Sequence, residues 1–448
     1  MTFFRNAYVR RFTTILLIMS VVTVMTGTPG TATAPPTTGL HGSFMEHVSF
    51  FGLVGAPRWT VMLFLTFVAF GISLIVTTYG KNIRKQTAKL GAVREQVAAR
   101  PVVKWTVIVA AVLLVLIVPK LVTQSFWQYL LVEQVGVWIL LAMGLNVVVG
   151  FAGLLDLGFA AFYAIGAYTT AWVTGVLPMP ALFHHTIPTL WAIPIGIVAA
   201  MFFGILLGTP TLRLRGDYLA IVTLGFALII DDFVEIQTGV TGGGQGTGSI
   251  PNFVVHLGFI HFRWGQNPVP YYYLCVFFVA LFVAIFMALE HSRVGRSWVA
   301  IREDEVAAES IGIHPLKYKV MAFAVGAAAG GFGGVLTGGL VHFVTPTTFQ
   351  YQVSVNVLVL VIFGGMGSIW GVALGAIVLQ VITSYLDNYQ PWGYQLNDLY
   401  MYIGALLIVM MIFRPAGLMP SKRRKREFDA FEKDHEGHLD EVLTGEEV

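Results

Sequence analysis

The sequence predicts an all-α polytopic membrane protein of about ten to twelve transmembrane helices. Three observations carry this. Of 448 residues, 56% are hydrophobic and 11% charged, against about 25% charged in an average soluble domain. The mean hydropathy is +0.75. The apolar residues fall in continuous runs of roughly 20, the length that crosses a hydrocarbon core about 30 Å thick. Every backbone N–H and C=O must be satisfied internally in lipid, and continuous rather than alternating runs select helices over a β-barrel. Too little polar sequence remains for a separate soluble domain.

Charge orders the runs. Three basic clusters stand out: Lys81 to Lys104 with Arg84, Lys85, Lys89, Arg94 and Arg100; Arg293 to Lys319; and Lys422 to Arg426. Loops rich in Lys and Arg stay cytoplasmic. Starting inside with Arg5, Arg10 and Arg11, spans are expected near 12–28, 59–79, 104–122, 127–149, 151–176 and 187–210. Further spans follow near 217–237, 270–290, 319–342, 353–367, 369–387 and 397–413. Twelve crossings return the C-terminus to the inside, and all three basic clusters then fall on that side. Connections 239–269 and 343–352 are nearly free of Lys and Arg, as outer loops should be. Lys120, near an outer end, snorkels. The first run is read as a retained span: Ala32-Thr33-Ala34 mimics a signal-peptide cleavage site, but Pro35 and Pro36 follow at once.

The chain then divides in three: an N-terminal extension, 1–125, with about three spans and a basic loop at 80–104; a core, 126–420; and a charged cytoplasmic tail, 421–448. Within the core, 151–176 and 353–367 are rich in small residues and are candidates for broken or re-entrant helices. Gly326, Gly330, Gly334 and Gly338 recur every fourth residue and line one helical stripe, where another backbone approaches closely. Packing is the expected role, a sliding surface the alternative. Gly364-Gly365-Met366-Gly367 before Trp370-Gly371 marks a break, either a tight turn at an inner end or an unwound site in a pathway. Thr241 to Gly246 reads as a plain outer connection.

Catalytic and metal chemistry is not expected. The P-loop, HExxH and GxSxG patterns are absent. His184-His185 point to different sides of any helix, so no metal site is expected there. The one cysteine, Cys275, lies in an apolar run and reads as a buried inert thiol.

The informative segment is the loop from His291 to Lys319. Its middle, Ser297 to Gly312, can form a short helix with Trp298, Ile301 and Ala308 on one stripe and Arg302, Glu303, Asp304, Glu305 and Glu309 as dense charge. Such a helix cannot enter a bilayer, where each central charge costs a few kcal/mol. It lies on the inner surface or against a cytoplasmic partner. The order Gly295-Arg296-x-x-x-Ala300-x-Arg302-Glu303-Asp304-Glu305-x-Ala307-Ala308-Glu309-x-x-Gly312 resembles the coupling loop of ATP-binding-cassette (ABC) importer permeases, and more narrowly the branched-chain amino-acid family. Gly144 to Gly150, Ala161 to Ala167, Leu212 to Phe226, Thr241-Gly242-Gly243, Gly364 to Gly367 and Phe413-Arg414-Pro415-x-Gly417-Leu418 match the same family, in order. The extra N-terminal spans are similar to the M-type permease subunit of that system.

The resemblance implies an ABC importer permease fold, alternating access, and import of leucine, isoleucine or valine across the inner membrane. It implies as partners a second homologous permease, two cytoplasmic ABC ATPases that bind ATP and Mg, and an outer solute-binding protein, with no cofactor in this chain. The coupling loop would be Arg293, Gly295, Arg296, Ala300, Arg302, Glu303, Asp304, Glu305, Ala308, Glu309 and Gly312, with Arg296, Arg302, Glu303, Asp304 and Glu305 as ATPase contacts. Asn146 and Asp156 are pathway-lining candidates, the rival being hydrogen bonding between spans. Asp231 and Asp232, with Glu235 nearby, face either a cavity or the outer surface. One departure bears on substrate: where the family commonly has an acid and an arginine three residues apart, this chain has Leu228 and Asp231. Urea, a short amide or another amino acid is therefore the alternative cargo, and an ion-coupled secondary transporter the rival mechanism.

Overall fold

In a computed structural model of the chain, the structure describes residues 113, 115–119, 128–178, 188–212, 217–257, 260–263, 268–389, 403–404, 406–408, 410–411, 414 and 417–419. The spans expected near 12–28 and 59–79, the loop 80–104, His184-His185 and the tail 421–448 lie outside the described residues. Two compact units divide the chain, residues 1–117 with 385–415, and residues 118–384 with 416–448. In the first, the described residues at 113, 115–117 and between 403 and 411 are helical.

The second unit is built of helices. α1, Leu130–Phe151, is α-helical over Val137–Leu145 and widens to π-helix at both ends, Leu130–Gly136 and Asn146–Phe151. α2 is Phe159–Val173, α3 Ala192–Thr211, and α4 Asp217–Ile236. The connection after α4 is more ordered than a plain loop. Strand β1, Thr247–Gly248, pairs antiparallel with β4, Phe343–Val344, while β2, Val254–Leu257, and β3, Ile260–Arg263, form a hairpin with Val254 opposite Arg263. α5 is Pro268–His291, α6 Arg293–Glu303, α7 Glu305–Ser310, α8 Pro315–Val341, α9 Tyr351–Gly364 and α10 Ile369–Tyr389.

Among the described residues five helical segments, Leu130–Phe151, Thr189–Thr211, Val269–His291, Pro315–Val341 and Pro346–Gly364, are long and apolar enough to cross a membrane. α2 and Ile369–Ser384 are shorter apolar helices. Burial sorts them: 89% of the α1 window and 78% of the α8 window are covered, against 28% for α3 and 22% for α5. α1 and α8 are therefore the core, and α3 and α5 turn most of their surface outward.

Small residues make that core possible. A side chain at Gly326 would meet Val148 and the Gly144 carbonyl of α1, one at Gly330 would meet Phe162 and Phe159 of α2, and one at Gly334 would collide with the Tyr163 carbonyl. The stripe thus lays α8 against α1 and α2, backbone to backbone. The neighbouring face of α8, with Ala327, Gly331 and Val335, meets a second stripe, Gly196, Ala200, Gly204 and Gly208 of α3, all buried. Polar residues inside this bundle satisfy themselves locally: the hydroxyls of Thr169, Thr170 and Thr174 donate to carbonyls one turn back. Cys275 on α5 is buried against Gly136 of α1, whose missing side chain leaves room for the sulfur.

Candidate functional site

Three parts of the second unit carry the candidate residues. The first is the surface loop. Where one helix is expected over Ser297–Gly312, there are two, because Asp304 is extended (φ −153°, ψ 111°) and serves as an N-cap. Its Oδ1 accepts from the backbone N–H of Val306 and of Ala307, each at 2.9 Å. Ser292 caps α6 likewise, accepting from Val294 and Gly295. Gly295 is required at the α5–α6 corner, where a side chain would strike the carbonyls of Leu289 and Glu290.

The pair α6–α7 is held to the base of α8. Trp298 is buried to 1% and its Nε1–H donates to the Tyr318 carbonyl at 2.7 Å. Lys319, nearly buried, pairs with half-exposed Glu305 at 2.7 Å. Ala308 packs inward. The opposite side is open: Arg293, Arg296, Glu303, Asp304, Glu305, Glu309 and Gly312 are exposed, together with Val306 at 72% and Ile311 at 74%. Arg302 does not share that exposure. It points into the unit, and its Nη1 donates to the Gly150 carbonyl of α1.

The second part is the break between α9 and α10. α9 ends at Gly364, Gly365 takes φ 116° and Gly367 φ 78°, and α10 starts at Ile369, so the Gly364–Gly367 segment is a tight turn. The backbone N–H groups of Leu418 and Met419 donate to the carbonyls of Phe363 and Gly364, each at 3.0 Å. Asn146, 1% exposed, accepts the Gly367 N–H at 2.8 Å through its Oδ1. Gly150 has no room for a side chain between Asn146 and Gly367.

The third part lies deeper. The connection Ala152–Gly158 leaves the α1 end beside Gly367 and climbs along α9. Ala160 N–H donates to Ser354 Oγ at 2.8 Å, ten residues or about 15 Å of helix before Gly364. α2 therefore starts about 15 Å along α9 from Gly364, and the run 151–176 is a broken helix, interrupted between Phe151 and Phe159. At its start Asp156, fully buried, accepts the Gly158 N–H through Oδ1 at 2.8 Å, while its Oδ2 has no hydrogen-bond partner. The Thr223 hydroxyl of α4 stands beside this carboxyl and accepts the Leu157 N–H at 3.1 Å. Thr223 and Ser354 are both fully buried.

Asn146 and Asp156 thus belong to different clusters. Asp231 is half-buried and Asp232 and Glu235 exposed, eight or more residues further along α4 than Thr223, about 12 Å away. The four acid and amide candidates are not brought into one site. Thr223, Ser354, Lys319 and the inward direction of Arg302 were not read as site features in the sequence. Among the described residues no group of three His, Cys, Asp or Glu is placed to hold a metal ion.

A family profile described as branched-chain amino acid transport system / permease component matches residues 129–413. The chain is 37% identical over 306 residues to the high-affinity branched-chain amino acid transport system permease protein LivM of Escherichia coli (strain K12), covering 64% of this chain and 68% of that one. It is 23% identical over 321 residues to the probable branched-chain amino acid transport permease protein LivM of Methanocaldococcus jannaschii, covering 64% and 91%. It is 24% identical over 301 residues to the high-affinity branched-chain amino acid transport system permease protein LivH of Salmonella typhi, covering 62% and 90%. No solved structure matches it.

Proposed function

The chain belongs to the family of branched-chain amino acid transport system permease components, and on that premise we propose that it imports leucine, isoleucine and valine as one permease subunit of an ATP-binding-cassette importer. It is a multi-pass membrane protein and a transport subunit, not an enzyme. The partners in this reading are a second, LivH-like permease, two cytoplasmic ATPases that bind ATP and Mg, and an outer solute-binding protein. The chain sits in the inner membrane with its C-terminus inside.

One observation carries the ATPase partnership. The α6–α7 loop is too charged to enter lipid, yet it leaves Val306 and Ile311 bare beside Glu303, Asp304, Glu305 and Glu309. Two exposed apolar side chains beside acids suit a groove with an apolar floor and a basic rim, the charges setting register and partner choice. The module is fastened to α8 through Trp298 and Lys319, so a push on α7 reaches the helix at the centre of the bundle.

Asp156 is the residue of this chain that lines the pathway in this reading. A carboxyl oxygen without a partner inside a membrane core is costly, and it stands at the start of α2, where the helix is broken and a zwitterion can be held. Asn146, engaged by Gly367, instead holds segments together. Asp156→Asn keeps an acceptor for the Gly158 N–H, so the folded complex should survive while uptake falls about tenfold. Undiminished uptake would assign Asp156 to structure alone.

The importer reading is tested by co-purifying the chain with its neighbours in mild detergent and reconstituting them with the binding protein. ATP-driven uptake of labelled leucine, isoleucine or valine is expected. Uptake driven by an ion gradient without ATPases would replace the mechanism, and uptake of urea alone would replace the cargo.

A further inference from the structure

We propose that Arg302 is not an ATPase contact but the positioning residue that couples the surface helices to the two backbone breaks of the membrane core, which it does by capping the end of α1 from outside. This rests on the importer reading above.

The last carbonyls of any helix lack intrahelical partners. At the end of α1 the π-helical turn disposes of two of them, Val147 accepting from Ala152 N–H and Val148 from Leu154 N–H. The Gly150 carbonyl takes its hydrogen bond from Arg302, which lies 152 positions away in sequence. A guanidinium is well suited to this place: it is cationic, as a helix C-terminus favours, and its hydrogen bond is charge-assisted. The backbone is shaped to receive it. Gly153 has φ 72°, and any side chain there would collide with the Arg302 alkyl stem. A side chain on Gly367 would lie 3.6 Å from Arg302 Nη1 and 3.3 Å from the Gly150 carbonyl. Asn146 then closes the cluster by accepting from Gly367. One side chain of α6 therefore bonds the α1 end and stands beside the α9–α10 turn. Its neighbours Asp304 and Glu305 open α7, which carries exposed acids and ends at Ile311. The loop has two functional sides: α7 receives the stroke, and Arg302 passes it to the breaks.

The test compares Arg302→Met, Arg302→Lys and Ile311→Asp in the reconstituted complex, with ATP hydrolysis and leucine uptake measured separately. Arg302→Met should keep its ATPases and hydrolyse ATP within about twofold of native, while uptake per ATP falls about tenfold or more, the range expected for one lost charged hydrogen bond. Arg302→Lys, which restores a cationic donor, should recover part of that loss. Ile311→Asp should instead lose the ATPases on purification. Arg302→Met shedding its ATPases as Ile311→Asp does, or transporting like native, would overturn the proposal. Hydrogen exchange gives a readout independent of transport: the Ala152 and Leu154 amides should exchange faster in Arg302→Met, and in Arg302→Lys to a lesser degree. Unchanged exchange would overturn the cap even if the complex is no importer. If the native complex shows no ATP-driven uptake while exchange responds, the importer reading fails and the cap stands. If Arg302→Met gives no folded protein, Gly153→Ala, which displaces the same stem, must show the uncoupling and the faster exchange, or the proposal falls.

Discussion

Two glycine-rich regions of this chain look alike in composition and act in opposite ways. Along α8, glycines at every fourth position keep ordinary helical backbone and serve by what they lack, letting α1 and α2 come within backbone contact. After α1 and in the α9–α10 turn, Gly153, Gly365 and Gly367 serve by the backbone they adopt, with φ between 72° and 116°, a region that L side chains disfavour. The first region is a close-packed seam and the second a set of bends. Spacing tells them apart: a period of four belongs to a helix face, whereas clustering belongs to a turn.

The comparison can be broken by substitution. The largest effect is expected at Gly334→Leu. Its side chain would be driven into the Tyr163 carbonyl, which is backbone and cannot step aside. Overpacking costs typically about 1–3 kcal/mol and more where nothing yields. The outcome should be loss of monodisperse protein in size-exclusion chromatography; a well-behaved variant would mean that the seam is loose. Gly367→Ala comes next. Its φ of 78° and the Gly150 carbonyl 3.3 Å from the added carbon predict about 1–3 kcal/mol of strain. Folded protein should remain, with a lowered melting temperature and reduced uptake, whereas full loss of folding would erase the distinction between seam and bend.

Gly312 sharpens the second half of the comparison, because it has φ 87° with open space around it. Gly312→Ala should cost only the conformational strain, about 1–2 kcal/mol, and Gly312→Asn less. Equal melting temperatures for the two variants would mean that the conformation there is not required. The smallest effect lies at the C-terminal end of α8, where the helix stops on His342 in the left-handed region (φ 60°) rather than on a glycine. Burial holds the His342 imidazole below its ordinary value of 6.5, opposed by its hydrogen bond to the Ile250 carbonyl. The folded protein favours the neutral ring. Its contribution to stability is therefore present above about pH 6.5 and lost as pH falls through the lower folded value. His342→Asn, which tolerates the same backbone, should flatten the melting-temperature profile below pH 6.5; an unchanged slope would assign the acid sensitivity elsewhere.

The helices of the core, the seam and the surface loop were legible because each is a local pattern: an apolar run, a four-residue period, a charged stretch between greasy ones. Asp304 was visible as charge but not as a cap, since capping depends on one extended residue that the surrounding helix-forming sequence conceals. The direction of Arg302 was invisible for a different reason. On a helix dense with charge, only a contact 152 residues away decides which cation turns inward. Gly150 and Gly153 carried the other half of that signal, two small residues just past an apolar run, yet their partner lay in another motif. Thr223 and Ser354 resemble many small polar residues in membrane helices, and the second stripe on α3 hid because Ala200 interrupts its glycines.

The placement of Cys275 has a practical consequence. Its thiol is enclosed where α5 meets Gly136, out of reach of water-borne alkylating reagents, which attack exposed thiolates. The natural chain is already a silent background for site-directed labelling. A cysteine introduced at Val306 or Ile311 would be the accessible thiol among the described residues, ready for a spin label or fluorophore that reports the distance to a neighbour during turnover.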